Sequence, residues 1–328
     1  MKEILQYLFD HQTLSKAQAK SVLLEIAKNI FNEIEVTAFV SVFLMRSITM
    51  EELEGFVEAL QQLAPNINLE NDGLIDIVGT GGDGKDTFNI STLAALVVAA
   101  AGQPVAKHGN YAASAVSGAS NVLELLGYRF KKTEEQLKRD LEKSNFCYLH
   151  APLFHTSLKN IAPMRKNLGL KTFFNLLGPL INPARPHYSV IGVANLEIAR
   201  LYQYLLQKKN QHFLLVHSLD GYDEVSLTGD TKLITSHGEK VCTARSLNPQ
   251  PVRAENLYGG ATPEKAAEMF YQILSGKGTE AQNAVVATNA ALALETAGQH
   301  GDYAQCLELA YKTLSDGVAL QNFKKLIQ

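Results

Sequence analysis

Residues 79–84 read Gly-Thr-Gly-Gly-Asp-Gly and directly follow the apolar run Leu74-Ile75-Asp76-Ile77-Val78. Glycines let the backbone turn left-handed and bring its N–H groups close to a ligand, an arrangement that binds anions. Behind the turn, Asn89-Ile90-Ser91-Thr92 opens an Ala-rich stretch with helical character. A helix start offers unpaired N–H groups and the positive end of the dipole, and Ser91 and Thr92 add hydroxyls. A serine at that place can equally be only the helix cap. The chemistry expected of this segment is recognition of a phosphorylated ligand. Asp83 inside an anion-binding turn calls for a ribose hydroxyl, a cation or Lys107 as its partner.

The turn imitates two nucleotide motifs and satisfies neither. Gly79, Gly81 and Gly84 spell G-x-G-x-x-G after a strand, but a dinucleotide site wants the third glycine in the helix and an acidic residue after the second strand. Here the loop runs on to Asn89, and the second strand ends in Lys107-His108. Gly79, Gly84 and Lys85 nearly spell a phosphate loop, but Asp86 stands where a hydroxyl should meet Mg²⁺.

Further clusters stand at other strand ends. Lys107-His108-Gly109-Asn110 follows the strand 104–106, so it should lie beside the glycine turn. Lys107 supplies a point charge for phosphate oxygens, Gly109 permits close approach, and the Ser/Ala/Gly-rich run 112–120, which includes Ala119, offers N–H groups and hydroxyls. Asp220-Gly221-Tyr222-Asp223-Glu224 follows the strand ending at His217. Adjacent carboxylates are hard oxygen ligands suited to Mg²⁺, which is commonly held by one or two carboxylates plus substrate phosphates. An Asp-Glu pair alone is usually solvated surface; its place at a further strand end on the same face favours the metal. No Gly-x-Ser-x-Gly elbow and no nucleophilic cysteine context supports covalent catalysis.

The elements that must position these residues follow from periodicity. Residues 1–65 show apolar positions at helical spacing, with Thr49 and Glu52 spaced as a capping box. Pro65 and the polar stretch 66–73 end that segment. A strand, the glycine turn, a helix over 92–102 and a second strand then form a βαβ unit. A helix is expected at 116–126, strands at 188–193 and 212–217 with a helix at 196–207 between them, and helices over most of 263–328. The fold class is α/β: a small all-helical domain hinged to a larger α/β domain with a central, mainly parallel sheet. Ligands in such sheets sit beyond the carboxyl ends of the strands.

Composition excludes other classes. The 328 residues carry a formal charge of −3 with no dense Lys/Arg cluster, so no nucleic acid is expected as partner. The longest apolar stretch, 93–101, is nine residues, too short to span a bilayer. Cys147, Cys242 and Cys306 form neither a zinc pattern nor a disulfide framework, and the N-terminus lacks a signal-peptide pattern. A cytoplasmic protein is expected.

Taken together, GTGGDG at 79–84, NIST at 89–92, KHGN at 107–110, RKNLGLKTFFNLLGPLINPA at 165–184 and DGYDE at 220–224 resemble the anthranilate phosphoribosyltransferase family along nearly the whole chain. The resemblance implies transfer of 5-phosphoribosyl from 5-phosphoribosyl 1-diphosphate (PRPP) to the amine of anthranilate, with release of diphosphate, in tryptophan biosynthesis. It implies a helical domain at 1–66, completed by about 155–185, an α/β domain at 70–154 and 186–328, and a homodimer. Carried over by position, Gly79, Gly82, Asp83, Thr87, Asn89, Ile90, Ser91, Thr92, Lys107, His108, Gly109, Asn110 and Ala119 would hold PRPP. Gly79, Asn110 and Arg165 would meet anthranilate, with Arg165 at its carboxylate. Two Mg²⁺ ions would be held, one by Ser91 and Glu224, the other by Asp223 and Glu224. His108 is the candidate proton acceptor. Tyr111 departs from the arginine that commonly follows KHGN in that family, which removes a positive charge near the acceptor or phosphate site. A pyrimidine nucleoside phosphorylase of similar fold, and a non-catalytic nucleic-acid-binding relative on the same scaffold, are the rival readings; the metal pair and the acidic balance argue against them.

Overall fold

A computed structural model describes residues 1–328 apart from Ala113 and Ser114. Those two belong to the Ser/Ala/Gly-rich loop expected to hold PRPP and lie outside the described residues. The chain divides into two compact units, Met1–Ile67 with Ala151–Arg185, and Asn68–His150 with Pro186–Gln328.

Along the chain, α1 (Lys2–Phe9), α2 (Lys16–Ala27), α3 (Glu33–Met45) and α4 (Met50–Leu63) come first. The second unit opens with β1 (Ile75–Gly79), α5 (Ile90–Ala100), β2 (Val105–Gly109), α6 (Ala119–Leu125), α7 (Glu134–Ser144) and β3 (Phe146–His150). Short helices α8 (Ala151–Phe154), α9 (Ala162–Leu168) and α10 (Phe174–Leu177) return to the first unit. The chain then completes the second unit with β4 (Tyr188–Gly192), α11 (Leu196–Lys208), β5 (His212–Ser218), β6 (Thr231–Thr235), β7 (Gly238–Cys242), α12 (Ala244–Leu247), α13 (Pro263–Leu274), α14 (Glu280–Ala297), α15 (Tyr303–Ser315) and α16 (Val318–Ile327).

In the helical unit, the returning segment supplies a core residue that helices α1–α4 lack. Phe173 stacks on Phe56 at 4.4 Å between centroids and meets Phe39 and Phe43 edge-on. Such pairs stabilise beyond the area they bury. The Thr49 cap forms with Glu52 as its spacing predicts: Glu52 N–H donates to Thr49 Oγ1 and Thr49 N–H to Glu52 Oε2. Glu52 is also fully buried, and accepts from Leu14 N–H at 2.9 Å and from both terminal guanidinium nitrogens of Arg46 at 2.9 and 2.6 Å. Burial pushes its pKa up, but Arg46 and the two N–H donors outweigh burial and leave it below the ordinary 4.5. A carboxylate with a depressed pKa stabilises the fold above its ordinary pKa and loses that contribution as pH falls through the depressed value. Glu52→Gln is therefore expected to cost about 3 kcal/mol at neutral pH, as for breaking a buried pair. In urea unfolding the gap to the parent should close in acid; a cost unchanged down to acid pH would contradict this account.

The other unit is built on one sheet in the order β3-β2-β1-β4-β5-β6-β7. Strands β1 to β5 run parallel, while β6 and β7 pair antiparallel at the edge. The carboxyl ends of β1 and β4 stand side by side, with Gly79 opposite Gly192. From β1 the chain crosses to β2 on one side, while β4 leads to β5 on the other, so this is where the strand order reverses. Helices α5 and α14 are buried around most of their circumference, as their Ala and Val content allows.

Boundaries moved where side chains cap the backbone. Helix α5 begins at Ile90 rather than Thr92, with Asn89 at its N-cap. Helix α6 begins at Ala119 rather than Val116, because Gly118 is extended and the Asn121 side chain accepts from the N–H groups of Gly118 and Ala112. A Cβ on Gly118 would come 2.4 Å from the Ala112 nitrogen. Strands β3, β6 and β7 carry no strong periodicity of their own and arise from pairing in the fold, whereas helix α7 has Leu137 and Leu141 at helical spacing behind a Thr133–Gln136 capping box.

Candidate functional site

The site grows from the ends of β1 and β4. Gly81, Gly82 and Gly84 take φ of +67°, +78° and +74°, so the turn after β1 is left-handed at positions where a side chain would be strained. Its start is tied to the exit of β4, with Thr80 N–H donating to Gly192 O at 2.9 Å and Ala194 N–H to Thr80 Oγ1 at 3.2 Å. Asp223 lies across both strand ends. A Cβ on Gly79 would stand 2.4 Å from its Oδ2, and one on Gly192 would stand 1.5 Å from its carbonyl oxygen. Two facing glycines thus make room for the carboxylate segment, and Gly81 N–H then donates to Asp223 Oδ2 at 2.6 Å.

Glu224 reaches the start of α5. Its Oε1 accepts from Ser91 N–H at 3.0 Å and its Oε2 from Thr87 Oγ1 at 3.5 Å. Asn89 makes no side-chain cap bond and donates instead to Ser117 O at 3.0 Å. The helix end read from sequence as an anion site is therefore capped by a carboxylate from a distant loop, which the dipole favours. The pair is braced from behind. Asn289 on α14 accepts from Val225 N–H at 3.1 Å and donates to Val225 O at 2.9 Å, and Ser218 Oγ donates to Glu224 O at 2.6 Å.

The electrostatics call for a cation. Asp223 is 6% exposed, and burial, with Asp83 as the next cause, pushes its pKa up to about 7. Burial and then Asp223 hold Glu224 well above the ordinary carboxylate value. Among the described residues no hydrogen-bond donor reaches the buried Oδ2 of Asp83. Lys107 lies beneath the cluster, 2% exposed, and its ammonium donates to Ile77 O. Burial pulls its pKa down to about 8 against the pull of Asp76 and Glu224. Like-charged carboxylates in a dry place repel, and a divalent cation relieves them. Among the described residues no group of three or more His, Cys, Asp and Glu side chains forms a ready metal cage. Mg²⁺ needs none, since it keeps waters and takes the rest of its oxygens from substrate phosphates. Asp223, Glu224 and the Ser91 hydroxyl are hard oxygen donors of the right kind, so the residues present fit that ion.

The remaining expected residues fall into distinct groups. Ile90 and Thr92 are buried on the inner face of α5. His108 is 3% exposed, with its backbone N–H donating to Asp76 Oδ1 at 3.2 Å. Where Gly109 lacks a Cβ, the Tyr148 hydroxyl fills the space. Asn110 turns its Oδ1 to Tyr111 N–H and gives its carbonyl to Ser120 N–H, the second residue of α6 after Ala119. Tyr111 packs edge-on against His150 at 5.0 Å and donates to Glu124 at 3.2 Å. Arg165 belongs to the helical unit, on α9, where its guanidinium donates to Asn175 Oδ1 at 3.3 Å and lies 5.4 Å from the Phe174 ring. Burial lowers its pKa. Sequence reasoning missed Gly192, Asp76 and Asn289; a glycine inside an otherwise β-branched strand was the available signal, because it marks close backbone approach.

Comparison with known proteins likewise separates a helical from an α/β part, although the α/β match runs through residues 151–185 of the helical unit. A family described as "Glycosyl transferase family, a/b domain" matches residues 71–320, and "Glycosyl transferase family, helical bundle domain" matches residues 2–64. The chain is 49% identical to an anthranilate phosphoribosyltransferase of Flavobacterium johnsoniae over 99% of this chain and 98% of that protein. It is 48% identical to the enzyme of the same name from Bacteroides thetaiotaomicron over 100% of this chain and 99% of that protein. Among solved structures, anthranilate phosphoribosyltransferase from Thermus thermophilus superposes with a TM-score of 0.91 at 31% identity, covering 98% of each chain. The Saccharomyces cerevisiae enzyme in complex with PRPP and Mg superposes with a TM-score of 0.87 at 25% identity, covering 96% of this chain and 93% of that one.

Proposed function

The chain belongs to the anthranilate phosphoribosyltransferase family within the glycosyl transferases matched by its two domains, and on that premise we propose how its residues carry the reaction. It is a Mg²⁺-dependent phosphoribosyltransferase that joins anthranilate to PRPP and releases diphosphate. The observation that carries this reading is the Asp223-Glu224 pair. Asp223 is buried and Glu224 half-buried beside a left-handed glycine turn, at the reversal point of the sheet. A phosphate or diphosphate alone would be repelled by those carboxylates, so the anion this site accepts is one that arrives with a cation. That feature disfavours a nucleoside phosphorylase, whose inorganic phosphate would meet the same charges unscreened.

In the reaction, the bond from C1 of the ribose to the diphosphate oxygen breaks, a bond from C1 to the anthranilate nitrogen forms, and the amine loses one proton. Positive charge grows on the ribose and negative charge on the leaving group. Mg²⁺, when bound, neutralises the diphosphate. We assign one ion to Ser91 and Glu224 and a second to Asp223 and Glu224. The glycine turn offers N–H groups to phosphate oxygens, while Lys107 stands behind Glu224 as a fixed counter-charge rather than at the surface. The aryl amine is neutral and already nucleophilic, so alignment contributes more than a strong base. His108, at the end of β2, is the residue we assign to the departing proton.

Arg165 is the residue we assign to the anthranilate carboxylate. A planar guanidinium pairs well with a planar carboxylate, and one already desolvated gains most from the pairing. Arg165→Ala should raise the KM for anthranilate at least about 30-fold, roughly the 2 kcal/mol of a charged hydrogen bond, and leave the KM for PRPP within about two-fold. Equal effects on both would refute the assignment. We further propose a homodimer through the helical unit, which exposes Tyr7 and Phe9 on α1 and Ile34, Leu44 and Met45 on α3. Light scattering should give about twice the 35.9 kDa chain mass; a monomer at micromolar concentration would rule it out.

A further inference from the structure

Lys85 is the one element of the near-miss phosphate loop that the proposed chemistry leaves without a role. Its ammonium does not join the Asp223-Glu224 cluster. It lies over the ring of Tyr222, 4.5 Å from the centroid. Tyr222 is 5% exposed and packs in the main core of the α/β unit, so it is a fixed platform next to Asp223. Gly221, at a left-handed φ of +97°, packs beside the lysine stem: a Cβ there would stand 3.5 Å from Lys85 Cε, an ordinary contact distance. The lysine is aimed by its neighbours, since Gly84 and Asp86 on either side both take left-handed φ, +74° and +48°.

The limbs of the loop are tied down independently. One is bonded to the exit of β4 through Thr80. The other is bonded to residues 257–259, with Phe88 N–H donating to Leu257 O and Gly259 N–H donating to Asp86 O, each at 2.9 Å. The crest between them bears the left-handed Gly81, Gly82 and Gly84, the part of the turn proposed to meet PRPP. Gly81 N–H binds Asp223 at one end of the crest, and Lys85 meets Tyr222 at the other. We propose that Lys85 and Tyr222 form a clasp that holds the crest of the glycine turn against the carboxylate turn before PRPP arrives. Lys85 is then a positioning residue, and its charge acts through Tyr222 rather than on the diphosphate. The proposal rests on the reading of this pocket as the PRPP site.

Hydrogen exchange of residues 81–87 in ligand-free protein and steady-state kinetics test it together. Lys85→Met is expected to speed exchange in that segment about 3- to 10-fold and to raise the KM for PRPP by a similar factor, the range of a partly exposed cation–π contact. The anthranilate KM should stay within about two-fold. Lys85→Arg, which keeps the cation over the ring, should restore both readings. Tyr222→Leu should reproduce the Lys85→Met shift, with no further change in the double variant. Unchanged exchange in Lys85→Met would overturn the clasp, and so would an effect of Lys85→Met on PRPP that adds fully to that of Tyr222→Leu. If Tyr222→Leu does not fold, exchange in the Lys85→Met and Lys85→Arg pair decides. A parent protein that turns over no PRPP would defeat the reading of the pocket, while exchange would still decide the clasp.

Discussion

Asp223→Asn combined with Glu224→Gln is expected to lower Mg²⁺-dependent turnover by at least about a thousand-fold while making the metal-free protein more stable at pH 8. Both halves follow from one arrangement. Asp223 is buried with Glu224 half-buried next to it, and each has a pKa raised first by desolvation. For a carboxyl group raised in the folded state, the sign is opposite to that of Glu52. Below the ordinary 3.8 of an aspartate the group is protonated in both folded and unfolded chains and costs nothing. Above the raised value, about 7 for Asp223, the folded protein carries the full cost of a desolvated charge. The amides keep an oxygen for Gly81 N–H and for Ser91 N–H and remove that cost. The melting temperature of the variant should therefore overtake that of the parent as pH rises through this interval. Added Mg²⁺ should raise the melting temperature of the parent and leave the variant unmoved, since a ligand stabilises only the state that binds it. Undiminished turnover, or a variant less stable than the parent at pH 8, would sink the metal assignment.

Gly192→Ala should be the most damaging single methyl group in the α/β unit. Its Cβ would fall 1.5 Å from the Asp223 carbonyl oxygen, a backbone atom that Asn289 and Ser218 hold from the following residues. The segment cannot yield without breaking those bonds, so a loss of about 3 kcal/mol, the upper end for overpacking, is expected. With it, kcat/KM should fall at least about a hundred-fold as the carboxylates leave the glycine turn. Gly79→Ala is the instructive contrast. Its Cβ would press on the Asp223 side chain, Oδ2 at 2.4 Å and Cγ at 3.1 Å, and would stay at an ordinary 3.6 Å from the backbone oxygen. That side chain can rotate away, so Gly79→Ala should impair turnover far more than stability. Thermal melts and kinetics of the two variants side by side check this; equal loss of stability in both would contradict it.

The residues that sequence reasoning found were those whose chemistry is local. Glycines at 79–84, hydroxyls at 91–92 and carboxylates at 223–224 stand out because turns and helix starts need those types wherever they fall. The helical unit was readable through its period of 3.6, and the mainly parallel sheet through short β-branched runs alternating with helical stretches. Gly192 was hidden because its role exists only in register, opposite Gly79 on a strand more than a hundred residues away. Asp76 and Asn289 sit inside a strand and a helix, where spacing marks them as interior and cannot say what they face. Lys107 was legible as a charge but not in its direction: pairing of β2 beside β1 turns its ammonium inward, onto Ile77 O. Tyr111 replaces a charge that the family resemblance led one to expect, and the structure gives it an aromatic and carboxylate setting of its own beside His150 and Glu124.

The most direct measurement is the fluorescence of anthranilate incubated with the purified protein. Fluorescence should fall only when PRPP and Mg²⁺ are both present, chelation of the metal should stop the fall, and diphosphate should appear in step with anthranilate consumed. Fluorescence that holds steady under those conditions, with phosphate-dependent cleavage of thymidine or uridine by the same preparation, would contradict this reaction.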